Sequence, residues 1–277
     1  MPLARTADLV AAAYCAGTGL AAFNVITLEH AEAIIAGAEQ AGRPVILQIS
    51  ENAVKFHHGR LRPITTAVTA VAAEAAIPAS VHLDHVEDRE LLYASAETGA
   101  SSAMFDASKL DYQANLAATK AAADWAHQRG LFLEAELGEV GGKDGAHVPG
   151  VRTDPAEAAA FVAATGVDAL AVAVGSSHAM AARTAALDFD LIAQLRSAVP
   201  VPLVLHGSSG VADEDLRKAV SAGITKINIG TLLNIRFTAA VRAHLAHDDT
   251  VTDPRRYLAP ARAAVAEAVA DMIAAID

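Results

Sequence analysis

The chain has 277 residues, 53% of them hydrophobic, enough to bury a full core within one domain spanning residues 1–277. Its 21 basic and 32 acidic residues give a formal charge of −11, which argues against nucleic acid or an anionic membrane surface as a general partner. The single cysteine, Cys15, allows no internal disulfide, and without a signal-peptide pattern or a membrane-length apolar run the expected home is the cytoplasm.

Along the chain, short β-branched or apolar runs alternate with longer alanine-rich segments of helical period, the pattern of successive βα units. Eight strands are expected, at 20–25, 45–49, 79–83, 102–105, 131–137, 169–174, 203–205 and 224–229. Helices fill the gaps. N-cap signals stand at Asp88, at Asp154-Pro155 and at Asp213, and Gly99, Gly130, Gly166 and Gly223 sit where helices should stop. From Thr231 onward the pattern gives an eighth helix, a turn at Asp253-Pro254 and one further helix. The expected fold is therefore α/β, a (β/α)8 TIM barrel with an additional C-terminal helix.

Active sites of such barrels lie at the C-terminal ends of the strands. Polar residues gather at those ends: Asn24, Ser50, Asp84 with His85, Asp106, Glu136, His178, His206 and Asn228. A polar cap explains any one of them, Asn24 or Ser50 most easily, but not the ensemble. His85, His178 and His206 end three different strand-like runs, and three imidazoles suit a catalytic zinc with a position open for substrate. Cobalt or iron would also fit. Most of the other histidines read as structural: His30, His127, His244 and His247 fall in helices and His147 in a loop. His82 lies two residues before Asp84, on the same strand face one layer deeper, and reads as a packed core residue. His57 and His58 carry no assignment. Two later stretches look built for phosphate. His206-Gly207-Ser208-Ser209-Gly210 offers small residues and hydroxyls, and Asn228-Ile229-Gly230-Thr231 ends a strand and opens a helix with free N–H groups.

The motifs His82-Leu83-Asp84-His85, Glu134-Ala135-Glu136-Leu137-Gly138 with Gly141-Gly142, Val174-Gly175-Ser176-Ser177-His178, Leu205-His206-Gly207-Ser208-Ser209-Gly210, Lys226-Ile227-Asn228-Ile229-Gly230-Thr231 and Asp253-Pro254-Arg255 stand in one order. Together they resemble the class II, metal-dependent ketose-bisphosphate aldolases, from Ala22-Phe23-Asn24-Val25 nearly to the C-terminus. The resemblance implies reversible aldol cleavage of a fructose- or tagatose-type ketose 1,6-bisphosphate to dihydroxyacetone phosphate and glyceraldehyde 3-phosphate. It implies His85, His178 and His206 as zinc ligands, Asp106 and Glu136 near a second or alternative metal position, and room for a monovalent cation. Asp84 would exchange a proton with the substrate's C4 hydroxyl; its plainer alternative is a carboxylate that orients a histidine. Asn24, Ser50, Ala179, Gly207, Ser208, Ser209, Asn228, Ile229, Gly230, Thr231 and Arg255 are the expected substrate and phosphate contacts.

The chain departs from the family pattern in two places. Ala179 follows the second zinc histidine where the family commonly has glycine, and Arg183 stands one position beyond the family's phosphate lysine, for which a guanidinium is not equivalent. The loop Gly141-Gly142-Lys143-Asp144-Gly145 lacks the family's proton-moving glutamates, so Asp144 would take that role with a shorter reach, or Lys143 would bring a cation instead. Both changes keep a different phosphorylated keto sugar open as substrate. Arg255 matches an arginine that the family uses on phosphate across a subunit boundary, which implies a homodimer or homotetramer. The rival readings are a Schiff-base aldolase on Lys226, inward-facing on the eighth strand, and a non-catalytic aldolase-like subunit.

Overall fold

The computed structural model describes residues 3–137, 152–177 and 183–277. The strands are β1 Leu20–Asn24, β2 Val45–Ser50, β3 Ala79–Val86, β4 Ser102–Phe105, β5 Phe132–Glu136, β6 Ala169–Ala171, β7 Leu203–Leu205 and β8 Ile224–Ile229. They close into one barrel in chain order, with every neighbouring pair parallel. The helices are α1 Thr6–Ala16, α2 Leu28–Ala41, α3 Glu51–Phe56, α4 Leu61–Glu74, α5 Arg89–Ser95, α6 Tyr112–His127, α7 Pro155–Thr165, α8 Phe189–Ala198, α9 Asp213–Ala222, α10 Thr231–His247 and α11 Pro254–Ile276. This is the expected TIM barrel, and α11 is its additional C-terminal helix.

Strands covered on both faces read as nearly continuous apolar runs. Their outward residues and the helices form the main core. Inside the barrel Leu20, Ala22, Ile46, Phe132, Ala169, Ala171 and Val204 cluster with Val10 and Ala13 of α1, which closes the lower end. Moving two residues along the chain keeps the same face, so Ala22, Ile46, Phe132 and Val204 lead to Asn24, Gln48, Glu134 and His206. The barrel thus changes from apolar to polar toward its upper rim. His82 occupies the polar middle, fully buried, its Nδ1 2.8 Å from Ser102 Oγ. Burial, aided by nearby Lys226, lowers its pKa to about 3, which marks a neutral core imidazole.

Asp88, Asp154 and Asp253 cap α5, α7 and α11, each carboxylate accepting first-turn N–H groups. Asp213 corrects the pattern reading: Ala212 is the N-cap, and Asp213 is already helical. Gly166 and Gly223 end α7 and α9, whereas Gly99 and Gly130 lie in the turns after α5 and α6, whose caps are Ala96 and Gln128. Strand β6 stops short of residue 174 because Ala173 pairs with Thr153 instead. Its N–H donates to Thr153 Oγ1 at 2.8 Å, and Thr153 N–H donates to its carbonyl at 3.0 Å. In α2, Gly37 admits the backbone of α11, since a Cβ there would stand 2.4 Å from Ala266 O.

Candidate active site

A cavity of about 540 Å³ opens among the C-terminal strand ends. Asn24, Ser50, Asp84, His85, Gly207, Ser208, Ser209, Asn228, Gly230 and Thr231 all line it, ten of the expected site residues. Strict strand alternation would send Asp84 and His85 to opposite faces. A bulge prevents this: Leu83 pairs with Ala103 and Val86 with Phe105, so β3 holds one extra residue, and His85 adopts φ 48. A left-handed conformation is uncommon outside glycine, and here it turns His85 to the same rim as Asp84.

His85 Nδ1 lies 2.9 Å from Asp106 Oδ2. The ring meets that of His206 edge-on, with centroids 4.7 Å apart. His206 is fully buried; its Nε2 lies 3.1 Å from Glu134 Oε1 and its Nδ1 3.5 Å from Glu136 Oε2. Burial depresses its pKa, but hydrogen bonding to Glu134 and Glu136 outweighs that and raises it to about 9. The two carboxylates flanking the ring attract cations, and a metal ion would displace a proton from the imidazole on binding.

The Asp84 carboxylate is placed by two amides. Asn24 Nδ2 donates to Oδ2 at 3.5 Å, Asn228 Nδ2 to Oδ1 at 3.4 Å, and Gln48 Nε2 steadies Asn24 with a 2.7 Å bond to its Oδ1. Burial raises the Asp84 pKa, yet His85, Lys226, His206 and His82 together pull it down, and the net shift is downward. Asp84 is thus ionised and able to accept a proton.

Donor atoms of Asp84, His85 and His206 lie within 4.8 Å of one another, as do those of His85, Asp106 and Glu136. Two nitrogens on one zinc, each at about 2.0–2.1 Å, stand at most roughly 4.2 Å apart, so these groups, gathered within 4.8 Å, would contract slightly around an ion; their N/O chemistry suits a divalent metal. His178, Ala179, Lys143 and Asp144 lie outside the described residues. Above the metal-ligand candidates, Gly207 has φ 69, and a Cβ there would meet Ser177 O at 2.4 Å; only glycine lets the loop pass so close. Ser209 Oγ accepts from Leu232 N–H at 3.1 Å, tying that loop to the N-terminus of α10.

Other expected contacts lie elsewhere. Ile229 is buried on the outer strand face. Arg255 is exposed and bound to Asp253 rather than lining its own chain's cavity. Arg183 pairs with Asp213 at 2.7 Å and donates to Met272 Sδ, so the guanidinium is directed toward α9 and α11 instead of the cavity. Lys226 is fully buried and donates to Glu134 Oε2 at 2.7 Å, which leaves a Schiff-base role without access to substrate. Glu134 itself was missing from the expected site, although its place two residues before Glu136 put it on the same strand face. Glu51 was missing too: it accepts from Glu87 and Asp88 N–H groups and pairs with Lys55 at 2.8 Å, at the cavity wall.

The family model for class II fructose-bisphosphate aldolase matches residues 4–277. A fructose-bisphosphate aldolase of Thermus caldophilus is 38% identical over 290 aligned positions, covering 95% of this chain and 94% of the relative. Among solved structures, the YdjI aldolase of Escherichia coli K12 superposes with a TM-score of 0.85 at 33% identity, covering 99% of this chain and 97% of that one. A protein described as a putative fructose-1,6-bisphosphate aldolase from Coccidioides immitis gives 0.85 at 27% identity, covering 98% and 96%.

Proposed function

Because the chain belongs to the class II fructose-bisphosphate aldolase family and is a carbon–carbon lyase acting on a phosphorylated ketose, we propose that it is zinc-dependent and reversibly cleaves a ketose 1,6-bisphosphate of the fructose or tagatose type. The products are dihydroxyacetone phosphate and glyceraldehyde 3-phosphate. The observation that carries this reading is the buried Asp84 carboxylate, held between two amides beside His85 and His206 at the cavity floor.

His85 and His206, with His178, would hold the metal, and Asp106 and Glu136 border a second position. A bound divalent ion supplies Lewis-acid stabilisation of the negative charge that develops at the substrate's carbonyl. Asp84 accepts the C4 hydroxyl proton as the C3–C4 bond breaks and the electron pair moves toward C2. In the reverse direction Asp84 returns that proton. Asn24 and Asn228 orient its two oxygens. The Gly207-Ser208-Ser209-Gly210 turn and the α10 N-terminus, with Gly230 and Thr231, offer N–H and hydroxyl donors for the C1 phosphate. Asp144, or Lys143 in its place, would take the family's loop role in proton movement, and Arg255 of a second copy would bind the distal phosphate in a homodimer or homotetramer. No described helix is long and apolar enough to cross a membrane, and we place the enzyme in the cytoplasm.

A second reading, a different phosphorylated keto sugar, is favoured by the scarcity of cationic side chains in the described lining of the cavity. Among the described lining residues Lys55 is the one lysine or arginine, and it pairs with Glu51. A screen of phosphorylated ketoses by coupled triose-phosphate release separates the two. The 1,6-bisphosphates should give the highest kcat/KM; a preference for ketoses phosphorylated only at C1 supports the second reading. Release from no ketose 1-phosphate of either kind rejects both.

A further inference from the structure

Beneath the rim, three buried side chains from β5, β8 and the end of β7 form a chain of contacts. Lys226 Nζ donates to Glu134 Oε2 at 2.7 Å, and Glu134 Oε1 lies 3.1 Å from His206 Nε2, with none of the three side chains exposed. An ionised carboxylate accepts hydrogen bonds and donates none. Nε2 of His206 must then carry a proton, since its lone pair aimed at Glu134 would set two acceptors against each other in a buried site. Nδ1 faces the second carboxylate, Glu136, at 3.5 Å, and a metal ion would take the place of the proton held there, binding the lone pair of Nδ1 while Nε2–H stays on Glu134.

We propose that Glu134 and Lys226 are positioning residues: Lys226 fixes Glu134, and Glu134 commits His206 to the tautomer that presents Nδ1 to the metal. The inference rests on the metal site proposed above. A buried ion pair adds little stability over apolar side chains of similar volume, and the barrel layer below it is built from such side chains. The specific consequence of placing the pair here is the orientation of one imidazole, since a carboxylate behind a metal-binding histidine sets both its tautomer and its basicity.

The test compares zinc dissociation constants, measured by chelator competition after stripping and retitrating the full chain. Replacing the pair together, Glu134→Leu with Lys226→Met, removes both charges at once and leaves no uncompensated buried ion. Zinc binding should weaken about 10–100-fold. The companion pair Glu134→Gln with Lys226→Met retains a carbonyl to accept from Nε2–H and should recover most of that loss, a rescue that a merely structural role does not predict. Zinc affinity within twofold of the unmodified chain in the Leu/Met pair, or equal weakening in both pairs, overturns the proposal. A second measurement needs no variant: in the zinc-loaded unmodified chain, long-range 1H–15N spectra should show His206 protonated at Nε2 and metal-bound at Nδ1. Zinc on Nε2 refutes the relay even if the variants fail to fold. An unmodified chain that binds no zinc defeats the metal reading instead.

Discussion

His206→Ala is expected to lose both the metal and the activity. The side chain is wholly buried, reaches from Glu134 to Glu136 and stands edge-on to His85. Alanine removes one of three proposed protein ligands and leaves two buried carboxylates without the imidazole between them. Loss of an outer partner typically costs about 10–100-fold in metal affinity, so loss of a ligand should cost more than about 100-fold. Without a Lewis acid worth several kcal/mol, turnover should fall by roughly a thousandfold or more. Metal content by atomic absorption and cleavage rate, measured on one preparation, check this. A variant that keeps stoichiometric zinc removes His206 from the ligand set.

Asp84→Ala should separate the two properties, keeping the metal while losing turnover. The neighbouring charges hold this carboxylate in its ionised form despite burial, and Asn24 and Asn228 fix its oxygens toward the cavity. General acid–base catalysis by one positioned group contributes about 10²–10⁴-fold, and a loss of that size in kcat is expected with zinc content near that of the unmodified chain. If both quantities stay close to the unmodified values, Asp84 is not the proton carrier. If the metal leaves with the side chain, Asp84 acts on the ion rather than on the substrate's hydroxyl.

Most of the barrel was legible because buried parallel strands carry continuous apolar runs and helices announce themselves with capping aspartates. Strands β4, β7 and β8 have the expected bounds. The misplaced boundaries have local causes that composition does not encode. Thr153 draws Ala173 out of β6 through a hydrogen bond across 20 residues of sequence, and Asp213 starts α9 instead of capping it. The site was legible as a set of polar strand ends, yet its geometry was not. Alternation alone would have separated Asp84 from His85, and it takes the bulge and the positive φ of His85 to unite them. Glu134 was readable from its two-residue spacing to Glu136, but its link to Lys226 depends on β5 and β8 facing each other across the barrel. Arg183 was left open by its sequence position, and the fold pairs it with Asp213.

In the proposed mechanism, cleavage depends on a divalent ion held by histidines from separate strands beside Asp84. Exhaustive chelation followed by stoichiometric zinc readdition tests it most directly, with ketose-bisphosphate cleavage as the readout. Activity should fall in proportion to the zinc removed and return with the zinc restored. A chain that cleaves at its full rate after every divalent metal has been stripped would contradict it.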